Sequence, residues 1–137
     1  MKLVTVDDIR KIEREADRSG LSYAQMMQNA GRGVAEVVRD YFQDDGLRAL
    51  ALVGSGNNGG DALVALSVLM EHGWRASAYL VLPRQVDDPL IKTFVDAGGE
   101  LLQQPDDTDF KNLDEGLEDA EVIIDGVLGT GAKLPLK

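Results

Sequence analysis

The apolar run Ala49-Leu50-Ala51-Leu52-Val53 leads directly into Gly54-Ser55-Gly56-Asn57-Asn58-Gly59-Gly60-Asp61, and that loop leads directly into Ala62-Leu63-Val64-Ala65-Leu66-Ser67-Val68-Leu69-Met70. A short, unbroken apolar run bounded by Arg48 and Gly54 reads as a strand buried on both faces, the mark of a parallel sheet. The later run is too long for a strand and reads as a largely buried helix that ends near Gly73. Strand, glycine turn and buried helix together open a βαβ unit, because two parallel strands need a crossover between them.

The rest of the chain continues the alternation. Residues 76–82 read as a second strand closed by Pro83, 87–97 as a helix stopped by Gly98-Gly99, and 100–103 as a short strand. Residues 110–117 follow as a helix and 121–125 as a last strand. The pattern predicts an α/β fold: a Rossmann-like, doubly wound, mainly parallel sheet with right-handed crossovers and helices on both faces. Two helices precede it. Thr5 and Asp8 form a capping-box pair ahead of Ile9, Ile12 and Ala16, and Gly20 stops that run. Ser22 caps a longer helix with the apolar stripe Met26, Met27, Ala30, Val34, Val37, Val38 and Tyr41, in which the methionines read as core filler. At 137 residues the chain is expected to form one domain, residues 1–137.

Composition narrows the chemistry. The chain has no cysteine and a single histidine, His72, so disulfides, thiolate zinc sites, iron–sulfur clusters and histidine metal clusters are excluded. Its formal net charge of −10 leaves no broad basic face, which argues against nucleic acid and anionic membrane as partners. Most of the acid excess falls in residues 87–125 and reads as a solvated outer face. The start of the chain turns acidic at Asp7-Asp8 before a signal-peptide core can develop, and no run is long enough to span a bilayer, so a cytoplasmic protein is expected.

In a doubly wound sheet, ligands bind beyond the carboxyl ends of the strands where strand order reverses. Two segments qualify: the glycine loop after the first strand, and Asp125-Gly126-Val127-Leu128-Gly129-Thr130-Gly131 after the fourth. In a 3-2-1-4 order these loops meet over one crevice. Gly54 to Gly59 fits G-x-G-x-x-G in the required strand-to-helix setting, where backbone amides and the helix dipole receive a phosphate. The acid that would hold a ribose at the end of the second strand is absent; Val81-Leu82-Pro83-Arg84 stands there. Arg84 is either a partner for a 2′-phosphate or, more plainly, a solvent-exposed strand-end arginine. No Lys-Ser or Lys-Thr follows the glycines, so this is not a Walker loop. Asp125 ends an apolar strand, where it caps the next turn, ligates a cation or transfers a proton. Carboxylate, amide and carbonyl oxygens without His or Cys suit a hard cation. Lys133 either pairs with a phosphate or is solvated.

Three blocks carry a resemblance to the NAD(P)H-hydrate epimerases, also called the YjeF N-terminal domain. Met26-Met27-Gln28-Asn29-Ala30-Gly31-Arg32-Gly33-Val34-Ala35 is similar to the family's helix motif, with Gln28 where Glu is usual. Gly54 to Asp61 is similar to its most specific signature, with Ala62 in place of the usual Gly. Ile123-Ile124-Asp125-Gly126-Val127-Leu128-Gly129-Thr130-Gly131 with Lys133 and Pro135 is similar to its third block. The resemblance implies an isomerase that interconverts the R and S epimers of hydrated NADH and NADPH, so that an ADP- or ATP-dependent dehydratase, sometimes fused to it, can restore the cofactor. It implies that the substrate is contacted by Asn57, Asn58, Gly59, Gly60 and Asp61, and by Gly129, Thr130, Gly131, Ala132, Lys133, Leu134 and Pro135. Asn58 and Asp125 would hold a potassium ion, and the N-terminal helices would form a homodimer. In the family the chain continues into further strands with a D-I-P-S-G-like motif, so the expectation is that residues 1–137 form the front part of that domain. Within this chain Asp125 is the catalytic acid–base candidate. The competing expectations are a non-catalytic nucleotide-binding module and a protein-interaction scaffold of the same fold.

Overall fold

In the computed structural model, which describes residues 3–44 and 46–132, the N-terminal helices form as the capping signals require. Helix α1 (Val6–Arg18) starts from a complete capping box: the Asp8 amide donates to Thr5 Oγ1 and the Thr5 amide to Asp8 Oδ2, both at 3.2 Å. Helix α2 (Tyr23–Phe42) starts at Ser22, whose hydroxyl accepts from the Gln25 amide, and ends at Gln43 in the left-handed region. Strand β1 (Arg48–Val53), helix α3 (Asn57–Glu71), strand β2 (Arg75–Leu80), helix α4 (Pro89–Asp96) and strand β3 (Glu100–Gln103) follow. A single 3-10 turn (Gln104–Asp106), helix α5 (Lys111–Asp119) and strand β4 (Val122–Gly126) complete the described chain.

All strand pairs are parallel and the order is β3-β2-β1-β4, so the predicted arrangement, including the 3-2-1-4 order, is what forms. Ala49, Ala51 and Val53 of β1 and Ala76, Ala78 and Leu80 of β2 point to one face, where α3 lies with α2 and α4 beside it. Small side chains on that face let α3 sit close: Leu63, Ala65, Leu66 and Leu69 are all fully buried. Leu50 points the other way, to α5, where Gly116 leaves a Cβ position 3.6 Å from Leu50 Cδ2. That second face is thinner. Tyr79 is buried there but Ile123, on β4, is 48% exposed.

Two details of the sequence reading change. Helix α3 begins at Asn57, so Asn57-Asn58-Gly59-Gly60-Asp61 is its first turn and a half and not a loop. The stripe of α2 is partly redrawn: Val38 is buried and Met27 packs on the core as expected, but Gly31 and Ala35 are buried too, whereas Val34, Val37 and Tyr41 are exposed. The cause is backbone proximity, since a Cβ at Gly31 would lie 2.5 Å from Val64 Cβ and 2.6 Å from the Asp61 carbonyl oxygen. Helices approach this closely only through their smallest residues, so apolarity alone picked only part of the stripe. Among the described residues no helix is long and apolar enough to cross a membrane.

Candidate functional site

The carboxyl ends of β1 and β4 are neighbours, and the segments that leave them are fused. The Gly54 amide donates to the Gly126 carbonyl at 3.1 Å, and Asn58 Nδ2 donates to the Leu128 carbonyl at 2.7 Å. A Cβ at Gly54 would lie 2.0 Å from the Val127 carbonyl oxygen, and one at Gly126 would lie 2.9 Å from the Asn58 carbonyl oxygen. Glycine is therefore required for the two segments to touch. A Cβ at Gly129 would lie in ordinary contact with the Asn58 side chain, 3.5 Å from its Cβ. The two segments singled out from the sequence thus pack against one another.

Why the helix starts inside the glycine motif follows from the same crowding. A Cβ at Gly59 would lie 2.1 Å from the Gly54 carbonyl oxygen, and one at Gly60 would lie 2.7 Å from Met27 Sδ. Only glycines let the first turn of α3 fold back on the loop and under α2. Gly56 caps the helix without a side-chain hydrogen bond, which leaves amides of the first turn without a side-chain cap. That is the geometry of an anion cradle, reinforced by the helix dipole.

Arg84 is not the solvent-exposed strand-end residue that the sequence suggests. Its side chain is 9% exposed; Nη1 donates to the carbonyls of Gly54 at 2.8 Å and Gly56 at 2.9 Å, and Nε donates to Asp88 Oδ2 at 2.7 Å. The other oxygen of Asp88 accepts from the Leu90 amide at 2.9 Å and so caps α4. The spacing Arg84-x-x-x-Asp88 ahead of Pro89 is the one signal that could have revealed this. Met27 packs against the core as expected, and with Met26, Tyr23 and Leu90 it also lines a cavity of about 530 Å³ that Asn57 and Asp61 share. That volume is in the range of small-molecule sites. Burial, and then the Glu13 charge, push the Asp61 carboxyl above the usual carboxylate range.

Asp125 is exposed, and its Oδ1 accepts from the Val127 amide at 3.0 Å. It therefore caps its own turn and keeps Oδ2 for other work. Asn58, with Nδ2 committed to Leu128, keeps Oδ1 as an acceptor. These donors are all oxygen, and among the described residues no cluster of three His, Cys, Asp or Glu side chains forms. Oxygen donors of this kind are those a hard cation takes. Gly129, Thr130, Gly131 and Ala132 form an exposed turn closed by the Ala132 amide on the Gly129 carbonyl at 3.0 Å. Lys133, Leu134 and Pro135 lie outside the described residues.

Comparison with known proteins gives three concordant findings. The profile of the family described as YjeF-related protein N-terminus matches residues 23–137. An NAD(P)H-hydrate epimerase from Bordetella pertussis (strain Tohama I) is 33% identical over 140 residues, which cover 99% of this chain and 55% of the relative. One from Rhodobacter capsulatus is 31% identical over 98% of this chain and 65% of the relative. A bifunctional NAD(P)H-hydrate repair enzyme Nnr from Thermofilum pendens is 32% identical over 100% of this chain and 27% of the relative. The crystal structure of yeast ynu0 superposes with a TM-score of 0.85 at 26% identity, covering 100% of this chain and 60% of that one. The chain spans about half the length of the Bordetella epimerases it matches.

Proposed function

The chain belongs to the YjeF-related protein N-terminus family, and from that premise we propose that it is an NAD(P)H-hydrate epimerase domain, interconverting the R and S epimers of hydrated NADH and NADPH. The observation that carries the reading is the joining of the two segments, in which Asn58 of the amide-rich helix start bonds to Leu128 of the opposite loop. Pyrophosphate would lie on the free amides at the start of α3. Asn57, Asn58, Gly59, Gly60 and Asp61 would contact the substrate from one side, and residues 129–135 from the other. The cavity beside Asp61 is large enough for one of the dinucleotide's rings.

Inverting the hydrated carbon requires its hydroxyl to leave one face and return on the other, with a proton moved in each direction. Asp125 is the carboxylate we assign to that transfer. Asn58 and Asp125 are the residues that would hold a potassium ion, which would supply fixed positive charge where the substrate is anionic. The epimerase would feed an ADP- or ATP-dependent dehydratase; several relatives of this chain carry the name bifunctional NAD(P)H-hydrate repair enzyme. We further place the protein in the cytoplasm as a homodimer joined through α1 and α2, where Ile12, Val37 and Tyr41 are exposed. The second reading is a nucleotide-binding module without turnover, favoured by the turn-capping role of Asp125.

The test is to incubate the protein with mixed hydrate epimers and an S-specific dehydratase. Consumption of the R epimer should exceed the enzyme-free rate, and Asp125→Asn should lower it by roughly 100-fold, the usual worth of a positioned acid–base group. R consumption at the enzyme-free rate contradicts the epimerase. Nucleotide binding without turnover would leave the module.

A further inference from the structure

The guanidinium of Arg84 lies beneath the glycine loop. Nη1 holds two carbonyls of that loop, those of Gly54 and Gly56, and the Gly59 Cα lies so near that an added Cβ would be 2.9 Å from the same nitrogen. Asp88 fixes the guanidinium from the far side while capping α4, and both side chains are nearly buried, at 9% and 11% exposed. A charged donor placed this way makes hydrogen bonds stronger than neutral ones, and its planar fork sets direction as well as distance.

The peptide unit turns this contact into a statement about the ligand side. In a trans peptide, the carbonyl of one residue and the amide of the next lie in one plane and point in opposite directions. With the Gly54 and Gly56 oxygens drawn inward to Arg84, the Ser55 and Asn57 amides must point outward. Among the described residues neither of these amides donates to any protein acceptor. Without Arg84, Gly56 would keep only the long 3.3 Å contact from the Gly60 amide, and glycine-rich backbone is free to rotate its peptide planes.

We propose that Arg84 is a positioning residue for the anion cradle: by holding the Gly54 and Gly56 carbonyls on the inner side of the loop, it turns the Ser55 and Asn57 amides toward the phosphates of the bound nucleotide. The nucleotide here is that of the proposed function, so the nucleotide half of the inference rests on that reading. The orientation of the loop does not.

The experiment compares the wild-type chain with Arg84→Lys, which keeps the charge but loses the fork, and with Asp88→Asn, which loosens the guanidinium without removing it. Three quantities are read: the melting temperature, the carbonyl 13C resonances of Gly54 and Gly56 in the free protein, and the calorimetric affinity for NADP+. In Arg84→Lys both carbonyl resonances should move upfield, as they do when a hydrogen bond is lost, and affinity should fall at least about tenfold, or about 1.4 kcal/mol. Asp88→Asn should shift the same quantities by less. A contact that only stabilised the fold would lower the melting temperature and leave the affinity of the folded protein unchanged. The proposal is overturned if the carbonyl resonances stay in place, or if they move while the affinity holds. If the wild-type chain binds no NADP+, the proposed function fails, and the loop-orienting role is then decided by the carbonyl resonances alone.

Discussion

Asp61 shows how a single residue ties stability to pH. Burial and Glu13 raise its proton affinity in the folded chain above that in the unfolded one. Its stabilising contribution is therefore complete below the ordinary carboxylate range and lost as pH rises through the folded value. The carboxyl stands beside the cavity that Asn57 and Met27 also line. Asp61→Asn should raise the melting temperature at neutral pH, with the gain vanishing in acid, and should weaken NADP+ binding; thermal melts across pH together with calorimetry check both. Asp107 works with the opposite sign. It is 2% exposed, with Oδ1 accepting from the Asn112 amide at 3.0 Å, and Oδ2 from the Leu113 amide at 3.0 Å and the Tyr79 hydroxyl at 3.1 Å. Burial pushes this carboxyl up, but these donors and the Lys111 amide outweigh burial and leave it below the usual range. The stability it adds is present above the unfolded value and lost as pH falls through the folded one. Asp107→Asn should melt earlier than the parent at neutral pH, and the two curves should converge in acid.

At the scale of elements, α3 organises the molecule, since it touches β1, β2, β4, α2 and α4. Its contact with α2 runs through Gly31, where any side chain meets Val64 and the Asp61 carbonyl. Gly31→Ala should cost about 2 kcal/mol by overpacking, measured as a fall in the denaturant midpoint, and should also disturb Asp61. The strand and helix alternation was legible in the sequence because apolar runs are separated by Gly, Pro and cap residues, which act locally. The start of α3 was not. Asn-Asn-Gly-Gly is a poor helix former on its own, and it becomes helical only because Gly59 and Gly60 pack against Gly54 and Met27. The stripe of α2 misled in part for the same reason: a close helix crossing selects small residues over apolar ones.

For the whole molecule, the order β3-β2-β1-β4 decides where chemistry is possible, because it brings two segments some seventy positions apart into contact. That juxtaposition was legible, as each segment declares itself by its glycines and by the strand before it. The role of Arg84 was not: apart from the Arg84-x-x-x-Asp88 spacing nothing signals it, because the carbonyls it holds lie about thirty residues away and carry no side-chain signal. Nor was the cavity under α2, whose methionines look the same in sequence whether they fill a core or line a pocket. The central claim, that the paired loops are one nucleotide site, is tested most directly by titrating the 15N-labelled chain with NADP+ and following every backbone amide. The amides of residues 55–61 and 126–132 should shift together along one saturation curve while those of β3 and α5 stay in place. No shift in either loop, or a shift of one loop without the other, would contradict it.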